Sequence, residues 1–258
     1  TFKKLFHTLP KTVTQIAFGI GDIEANPDMW KIFDYSRENG VIPNVTINGE
    51  GITNDIADKL VSKCGAVAVS VYDKEKSYNA IKMLSDHGLK QVNIHFMICE
   101  ETYEKAFEIM NDKMNDVRLK GLNAIVLLSL KPKGRASVGN NFTRLSQEKF
   151  NTLVEYALNN HIGIGFDSCG ASKFIKAIVN RKDYEQLLVS VEPCESGLFS
   201  SYFNVEGKFF PCSFAEGNDE WKDGIDVISE PDWWNNSRVV KWRNDLLANK
   251  RLCPMYEI

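Results

Sequence analysis

Short apolar runs rich in valine and isoleucine alternate with amphipathic segments over the first two thirds of this chain of 258 residues. Near-continuous apolar runs are typical of parallel strands that are covered on both faces. Repeated strand–helix units with right-handed crossovers build either an open doubly wound sheet or a barrel. The sequence therefore predicts an α/β fold, and the spacing of the runs alone does not separate these two forms. The predicted strands are 13–21, 41–48, 66–72, 92–99, 123–130 and 162–168.

Helical periodicity fills the intervals between these strands. Glycines follow the last turn of three of the predicted helices (Gly40, Gly65 and Gly88), and Thr53 and Ser146 are placed to cap the start of two. The alternation ends after Phe166. Beyond it the sequence predicts one or two helices, a hairpin, an acidic loop and a last helix, at 169–190, 194–212, 213–231 and 237–250.

Composition limits the classes of partner. The net charge is −3, which is too balanced to predict binding to nucleic acid or to an anionic membrane. No apolar run approaches the ~18 residues that span a bilayer, and no secretory signal opens the chain. The first residue is Thr1 and not a methionine, so we expect the chain to be part of a longer or processed protein. The six cysteines lack the dense pairing of a secreted scaffold, which indicates a reducing cytoplasm.

In parallel α/β folds ligands bind at the carboxyl ends of the strands. The first strand is followed by GIGDIEANP, in which Gly19 and Gly21 let a ligand approach the backbone and Asp22 adds a carboxylate. This segment lacks the third glycine and the helix start of a dinucleotide fingerprint, so a Rossmann nucleotide site is rejected. Thr46 and Asn48 lie in TINGEG at the end of the second strand, where they can bind hydroxyl groups.

Two more strand ends carry candidate groups. Ser70 ends the third strand, and LKPKGRA after the fifth strand aims Lys131, Lys133 and Arg135 at the same rim. His95 lies within an apolar strand; a satisfied core histidine is its ordinary role, and in a barrel it can face a substrate.

The cysteines of the last third form a second candidate site. Twelve residues separate Cys194 from Gly207 and four separate Gly207 from Cys212, so a hairpin that turns at Gly207 brings two thiols to one point. Cys253 is the natural third ligand, and Cys169 in FDSCG is the proposed fourth. Thiolate sets of this size bind iron–sulfur clusters and zinc alike, so the residues leave both readings open.

Together these segments resemble the radical S-adenosylmethionine (radical SAM) superfamily with a SPASM or twitch C-terminal domain. GIGDIEANP is similar to the family's GGGEPxxHP segment, TING to its ribose segment, SVYD to its SxD segment and LKPKGRA to its sixth-strand rim. Cys194, Gly207 and Cys212 match the domain signature Cys-x(9–15)-Gly-x4-Cys. DWWNNSRVVKWRNDLLANKRLC resembles the helix that precedes the next cluster cysteine in that domain.

The resemblance implies a partial (β/α)6 TIM-like radical SAM barrel that lacks its first βα unit here, plus a small C-terminal auxiliary-cluster domain. It implies S-adenosylmethionine as a cofactor and an auxiliary 4Fe–4S cluster. The domains expected are a partial barrel over 1–168, a helical connector over 169–189 and the cluster domain over 190–258. The cofactor contacts it implies are Gly19, Gly21, Asp22, Thr46, Asn48 and Ser70, and the cluster ligands are Cys169, Cys194, Cys212 and Cys253.

Three departures from the family pattern are visible. The CxxxCxxC that binds the catalytic cluster is absent, and truncation upstream of TFKKLFHTLPK, which resembles the end of a first helix, is the simple explanation. Asp22 and Ile23 stand where the family has Glu and Pro. Tyr256 stands where a CxxC would place a second cysteine.

The resemblance therefore implies an enzyme that cleaves S-adenosylmethionine reductively, so that a 5′-deoxyadenosyl radical abstracts hydrogen from a peptide or protein substrate. The implied partners are that substrate, or a small molecule, and an electron donor such as flavodoxin or ferredoxin. We expect this chain alone to be inactive, and no catalytic residue is assigned. The alternatives are a non-catalytic scaffold with a structural Cys–zinc site, and a barrel enzyme that binds a phosphorylated ligand through Lys131, Lys133 and Arg135.

Overall fold

The computed structural model describes residues 1–136 and 141–256, without the side chain of Arg135. Its main feature is one parallel sheet of six strands that follow each other in chain order, as the alternating pattern predicts. All six predicted strands are confirmed, and each is shorter than its apolar run. The strands are β1 (Gln15–Phe18), β2 (Ile42–Ile47), β3 (Ala66–Ser70), β4 (Val92–Ile98), β5 (Ala124–Ser129) and β6 (Ile164–Phe166).

The helices are α1 (Phe2–Thr8), α2 (Met29–Glu38), α3 (Asn54–Lys63), α4 (Lys74–Asp86), α5 (Tyr103–Asn115), α6 (Gln147–Asn159), α7 (Ala171–Ile178), α8 (Tyr184–Leu188) and α9 (Ser237–Ala248). Helices α2–α6 connect successive strands and cover one face of the sheet. In the described ranges β1 and β6 are the two edges of the sheet, so it is open and does not close into a full barrel. This is the α/β architecture expected of a partial barrel.

The two faces of the sheet differ in polarity. In β4 the residues Val92, Ile94, Phe96 and Ile98 are buried under the helices, and the residues between them are partly exposed on the opposite face. We call that second face the open face; it also carries Thr46 of β2. Side chains alternate along a strand, so every second residue of β4 and β5 lies under the helices and the residues between them, such as Met97 and Val126, lie on the open face.

Local signals explain several helix boundaries. The Thr53 and Ser146 side chains accept hydrogen bonds from the first turns of α3 and α6, as predicted. Gly40 and Gly88 adopt positive φ after α2 and α4. Gly65 does not adopt positive φ. Glycine is needed there because a Cβ would lie 2.5 Å from the side chain of Ile42. In the described ranges the longest stretches of helix are too short or too polar to cross a membrane.

The C-terminal part contains a small antiparallel sheet. Its strands are β7 (Tyr202–Phe203), β8 (Lys208–Phe210) and β9 (Ile225–Asp226). The predicted hairpin turns at Gly207, whose φ is +81°, and the Asn204 carboxamide accepts from the N–H groups of Glu206 and Lys208. Sequence and structure therefore agree on this turn.

A second hydrophobic cluster lies behind that sheet. Trp221, Trp233 and Trp242 are buried in it, and Trp234 is partly buried against it. Leu5 of α1 packs against the same cluster, and the Trp233 indole N–H donates to the carbonyl of Thr8 at 3.2 Å. Helix α1 thus contacts the C-terminal residues although it opens the chain.

Candidate functional site

Loop residues after β1 and β2 meet at the carboxyl edge of the sheet. Since β1, β2 and β3 are consecutive in the sheet, Gly19, Gly21 and Asp22 lie at the same edge as Asn48 and Ser70. The Asn48 amide Nδ2 donates to Asp22 Oδ1 at 3.3 Å, which ties the two loops together. A Cβ placed on Gly19 or Gly21 would meet no atom within 4 Å, so the backbone there is open to a ligand.

Asn48 also has a structural role at this edge. Its Oδ1 accepts from the N–H of Glu50 at 2.9 Å, which closes a turn at Gly49. Gly49 has φ of +83°, and a Cβ there would lie 2.9 Å from the Cα of Ser77 at the start of α4. The turn therefore fixes the direction of the Asn48 side chain, and its amide points toward Asp22.

Two polar side chains face each other lower on the open face. Thr46 Oγ1 and His95 Nδ1 are 3.3 Å apart. Burial lowers the pKa of His95 from its ordinary value, while the charge of Asp167 acts in the opposite direction. The imidazole is thus a partly buried hydrogen-bonding group on the open face and not a core histidine under the helices.

The fifth strand end contains a buried ion pair that the sequence did not reveal. Lys131 is 7% exposed, and its ammonium pairs with Asp167, which directly follows β6. Asp167 Oδ1 also accepts from the N–H of Gly170 at 3.1 Å. The Lys131 ammonium lies 5.0 Å from the centre of the Phe214 ring. The carboxylate therefore shapes the turn that carries Cys169.

The neighbouring lysine joins the same contact. Lys133 Nζ lies 3.3 Å from the carbonyl oxygen of Phe214 and 3.5 Å from that of Ser213. Lys131 and Lys133 were expected at a common ligand-binding rim, and the Arg135 side chain lies outside the described residues. The structure instead directs both lysines toward Asp167 and the loop after Cys212, so it gives no support to a phosphate site there.

The four proposed ligand cysteines lie in one neighbourhood. Burial raises the pKa of Cys169 to about 12, and the charges of Cys253 and Cys194 raise it further. Burial also raises the pKa of Cys212, and the same two cysteines add to that effect. Within 1–136 and 141–256, however, no three His, Cys, Asp or Glu side chains are arranged to hold a single metal ion.

The surroundings of two thiols suit thiolate chemistry. The Cys212 sulfur accepts hydrogen bonds from the backbone N–H groups of Phe214 and Ala215, which lower its pKa. The Cys194 sulfur lies 3.1 Å from Ser196 Oγ. Hydrogen bonds to the sulfurs are a main control on the potential of protein-bound iron–sulfur clusters. The donor set therefore fits a cluster in its chemistry.

Arg251 joins the Cys194 segment to the segment that carries Cys253. Its Nε donates to the carbonyl of Cys194 at 2.9 Å, and its Nη2 bonds Glu192 at 2.6 Å. Arg251 has φ of +59°, a conformation that non-glycine residues rarely adopt. This local strain bends the chain after α9 back toward Cys194.

Two other cysteines and Tyr256 also have raised pKa values. Cys64 and Cys99 are buried, and burial raises the pKa of each thiol, as expected of inert core residues. Burial raises the pKa of Tyr256, and Cys212 and Cys253 contribute. The tyrosine that stands where a CxxC would have its second cysteine therefore lies beside the proposed ligands.

No protein-family model matches the sequence, and no curated protein is significantly similar to it. The structure is similar to that of SuiB from Streptococcus suis bound to S-adenosylmethionine, with a TM-score of 0.69 and 13% identity over 94% of this chain and 60% of SuiB. The comparison with SuiB bound to precursor peptide SuiA gives a TM-score of 0.68 and 11% identity, again over 94% of this chain and 60% of SuiB. The comparison with native anSMEcpe with bound AdoMet and Cp18Cys peptide gives a TM-score of 0.59 and 13% identity over 88% of this chain and 68% of anSMEcpe.

These structural neighbours are radical SAM maturases of the SPASM type. At such identities the similarity is one of fold, and it includes both the parallel sheet and most of the C-terminal residues. The expected fold class is thereby confirmed. The chain spans about 60% of the length of SuiB.

Proposed function

We propose that this protein is a radical SAM enzyme that modifies a peptide or protein substrate. The observation that carries the proposal is the fold similarity, which covers 94% of the chain and reaches a protein solved with S-adenosylmethionine. The position of the family-like motifs in the fold also supports the proposal, independently of the fold similarity. GIGDIEANP, TING and SVYD all lie at the carboxyl edge of the parallel sheet, where α/β folds bind ligands.

S-adenosylmethionine is proposed to bind across the ends of β1, β2 and β3. The open backbone at Gly19 and Gly21 leaves room for the amino-acid end of the cofactor. Asp22 is exposed beside them and can accept from its ammonium group. Thr46, Asn48 and Ser70 contribute polar groups for the ribose. When bound, S-adenosylmethionine supplies the radical chemistry, and these residues hold and orient it.

An auxiliary 4Fe–4S cluster is proposed to bind to Cys169, Cys194, Cys212 and Cys253. Burial and the nearby thiols raise the pKa of Cys169 and of Cys212, so a bound cationic group would offset the penalty on those two thiolates. When bound, the cluster supplies a site for electron transfer or substrate binding. Free cysteines of this kind suit a reducing cytoplasm, where a flavodoxin or ferredoxin is the proposed electron donor. The proposed domains remain 1–168, 169–189 and 190–258.

The 258 residues contain no CxxxCxxC. We therefore propose that this polypeptide alone binds S-adenosylmethionine without cleaving it. The substrate class rests on the neighbours: SuiB was solved with a precursor peptide, and anSMEcpe with the Cp18Cys peptide.

Equilibrium dialysis with labelled S-adenosylmethionine tests the proposal. We expect saturable binding to the wild-type chain and competition by S-adenosylhomocysteine, and Asp22→Ala should weaken the affinity about tenfold because it removes a charge-assisted hydrogen bond. Glu24→Ala is the matched control, since Glu24 is a carboxylate of the same loop that accepts from the Trp30 indole. Absence of saturable binding would contradict the proposal.

A further inference from the structure

A groove of about 400 Å³ runs beside β6, the edge strand of the parallel sheet. Its floor is 162–166, and its walls come from α6, α7, α8 and the segment that leads to Cys194. The wall residues used below are apolar Leu158, Phe174 and Leu187, together with Ser168, Glu192 and Glu195.

The floor of the groove presents unpaired backbone groups. The N–H of Ile125 in β5 donates to the carbonyl of Gly163 at 2.9 Å, and Gly165 lies opposite Val126. In a parallel ladder alternate residues bond the same neighbour, so the N–H and C=O groups of Ile164 and Phe166 point away from β5. The described chain places no strand on that side. Such an edge is a template for an added strand.

The walls define the side chains that an added strand can carry. Leu158, Phe174 and Leu187 offer apolar surface along the groove, and the described residues that line it include no lysine or arginine. At one end stand two carboxylates. Glu192 is paired with Arg251 at 2.6 Å, whereas half-buried Glu195 forms no salt bridge with any described residue. A cationic side chain is therefore the complement of this end.

We propose that the groove binds an extended peptide that pairs with Ile164 and Phe166 and places a lysine or arginine side chain against Glu195. The inference rests on the proposed function and deepens it, because it assigns a binding mode to the peptide substrate. Ser168 and Glu195 adjoin Cys169 and Cys194, so a peptide in the groove extends toward the proposed cluster ligands.

Fluorescence anisotropy with defined probes tests this binding mode. The probe is a short fluorescein-labelled peptide of alternating valine and threonine with one central lysine. Matched peptides carry glutamate in place of the lysine, or N-methyl groups on the backbone edge that would pair with β6. We expect the lysine peptide to bind, and both matched peptides to bind at least about tenfold more weakly.

Two variants separate the charge from general effects. Glu195→Gln should weaken binding of the lysine peptide about tenfold, since it removes the charge and keeps the shape. Glu38→Gln, at the exposed end of α2, should leave it unchanged. Equal binding of the N-methylated peptide would overturn strand pairing, and an unchanged affinity in Glu195→Gln would overturn the role of that carboxylate.

Hydrogen exchange gives a readout independent of the side chains. On peptide binding the amides of Ile164 and Phe166 should exchange more slowly, whereas that of Gly165, already bonded to β5, should change little. Unaltered exchange at Ile164 and Phe166, or a dimer of this chain in place of the peptide complex, would refute the inference. The assay contains neither S-adenosylmethionine nor iron. Cofactor binding without peptide binding therefore refutes only the groove, and peptide binding without cofactor binding refutes only the proposed function.

Discussion

Lys131 and Asp167 lie 36 positions apart in the sequence and form an ion pair between the ends of β5 and β6, in which the lysine is buried and the carboxylate is partly buried. Asp167 shapes the turn that contains Cys169, and Lys131 packs on Phe214, whose N–H points at the sulfur of Cys212. The pair therefore links the parallel sheet to two of the four proposed cluster ligands.

Replacement of the lysine should be costly. In Lys131→Met the carboxylate of Asp167 stays largely buried without its cation, so the free energy of unfolding should fall by about 2–4 kcal/mol. The double variant Lys131→Met/Asp167→Asn removes both charges and should recover most of that loss. Urea denaturation of the two variants checks this, with the exposed pair Lys31 and Asp28 as control. Lys31→Met should leave the free energy of unfolding unchanged. An equal loss of stability in Lys31→Met and Lys131→Met would contradict the account.

The sequence predicted the strands better than the contacts between them. Near-continuous apolar runs rich in valine and isoleucine predict parallel strands, and each of the six runs contains one. The expectation that both faces are covered was wrong, because the residues between the buried ones in β4 are partly exposed on the open face. The pairing of Lys131 with Asp167 depends on the sheet bringing distant positions together, and no local pattern encodes it. Without knowledge of that pairing, the three basic residues of LKPKGRA suggested a ligand-binding rim.

Gly19 offers a test that separates binding from stability. A Cβ there meets no protein atom within 4 Å, so Gly19→Ala should change the free energy of unfolding by less than about 0.5 kcal/mol. The same methyl group would occupy space that the ligand needs and should weaken S-adenosylmethionine binding about tenfold or more. Dialysis and urea denaturation of the same preparation measure both effects.

Gly49→Ala should lower stability, unlike Gly19→Ala. Its φ of +83° and its 2.9 Å approach to the Cα of Ser77 make alanine strained, so stability should drop by about 1–3 kcal/mol.

For the Gly19→Ala variant, an unaltered affinity for S-adenosylmethionine would show that the ligand does not contact this backbone.

His95 should make stability depend on pH. Its pKa in the folded protein is lowered by burial, so the unfolded chain binds more protons just below the ordinary value of 6.5. Stability should therefore be complete above about pH 6.5 and decline as pH falls toward the lowered pKa, with a slope of at most about 1.4 kcal/mol per pH unit. His95→Gln should lack this component. Denaturation of both proteins across that range measures the difference, and identical pH profiles would show that the imidazole is not desolvated.

The candidate cofactor edge was the more predictable of the two sites. Its residues lie at or just after the ends of three consecutive strands, so strand order alone brings Gly21, Asp22 and Asn48 together. The cysteine site depends instead on how α9 and the following residues return to the hairpin. Arg251, whose left-handed conformation and bonds to the Cys194 segment direct that return, carries no local sequence signal that distinguishes it from a surface arginine.

The most direct test of the central claim is the metal content of the chain. After anaerobic reconstitution, iron, sulfide and zinc are measured together with the optical spectrum, for the wild type and for Cys194→Ser/Cys212→Ser. Cys64→Ser serves as the control because Cys64 is buried under the helices. We expect about four iron and four sulfide per wild-type chain with charge-transfer absorption, the same in Cys64→Ser, and a loss of both in the double variant. One equivalent of zinc without charge-transfer absorption would contradict the account and establish the structural zinc site instead.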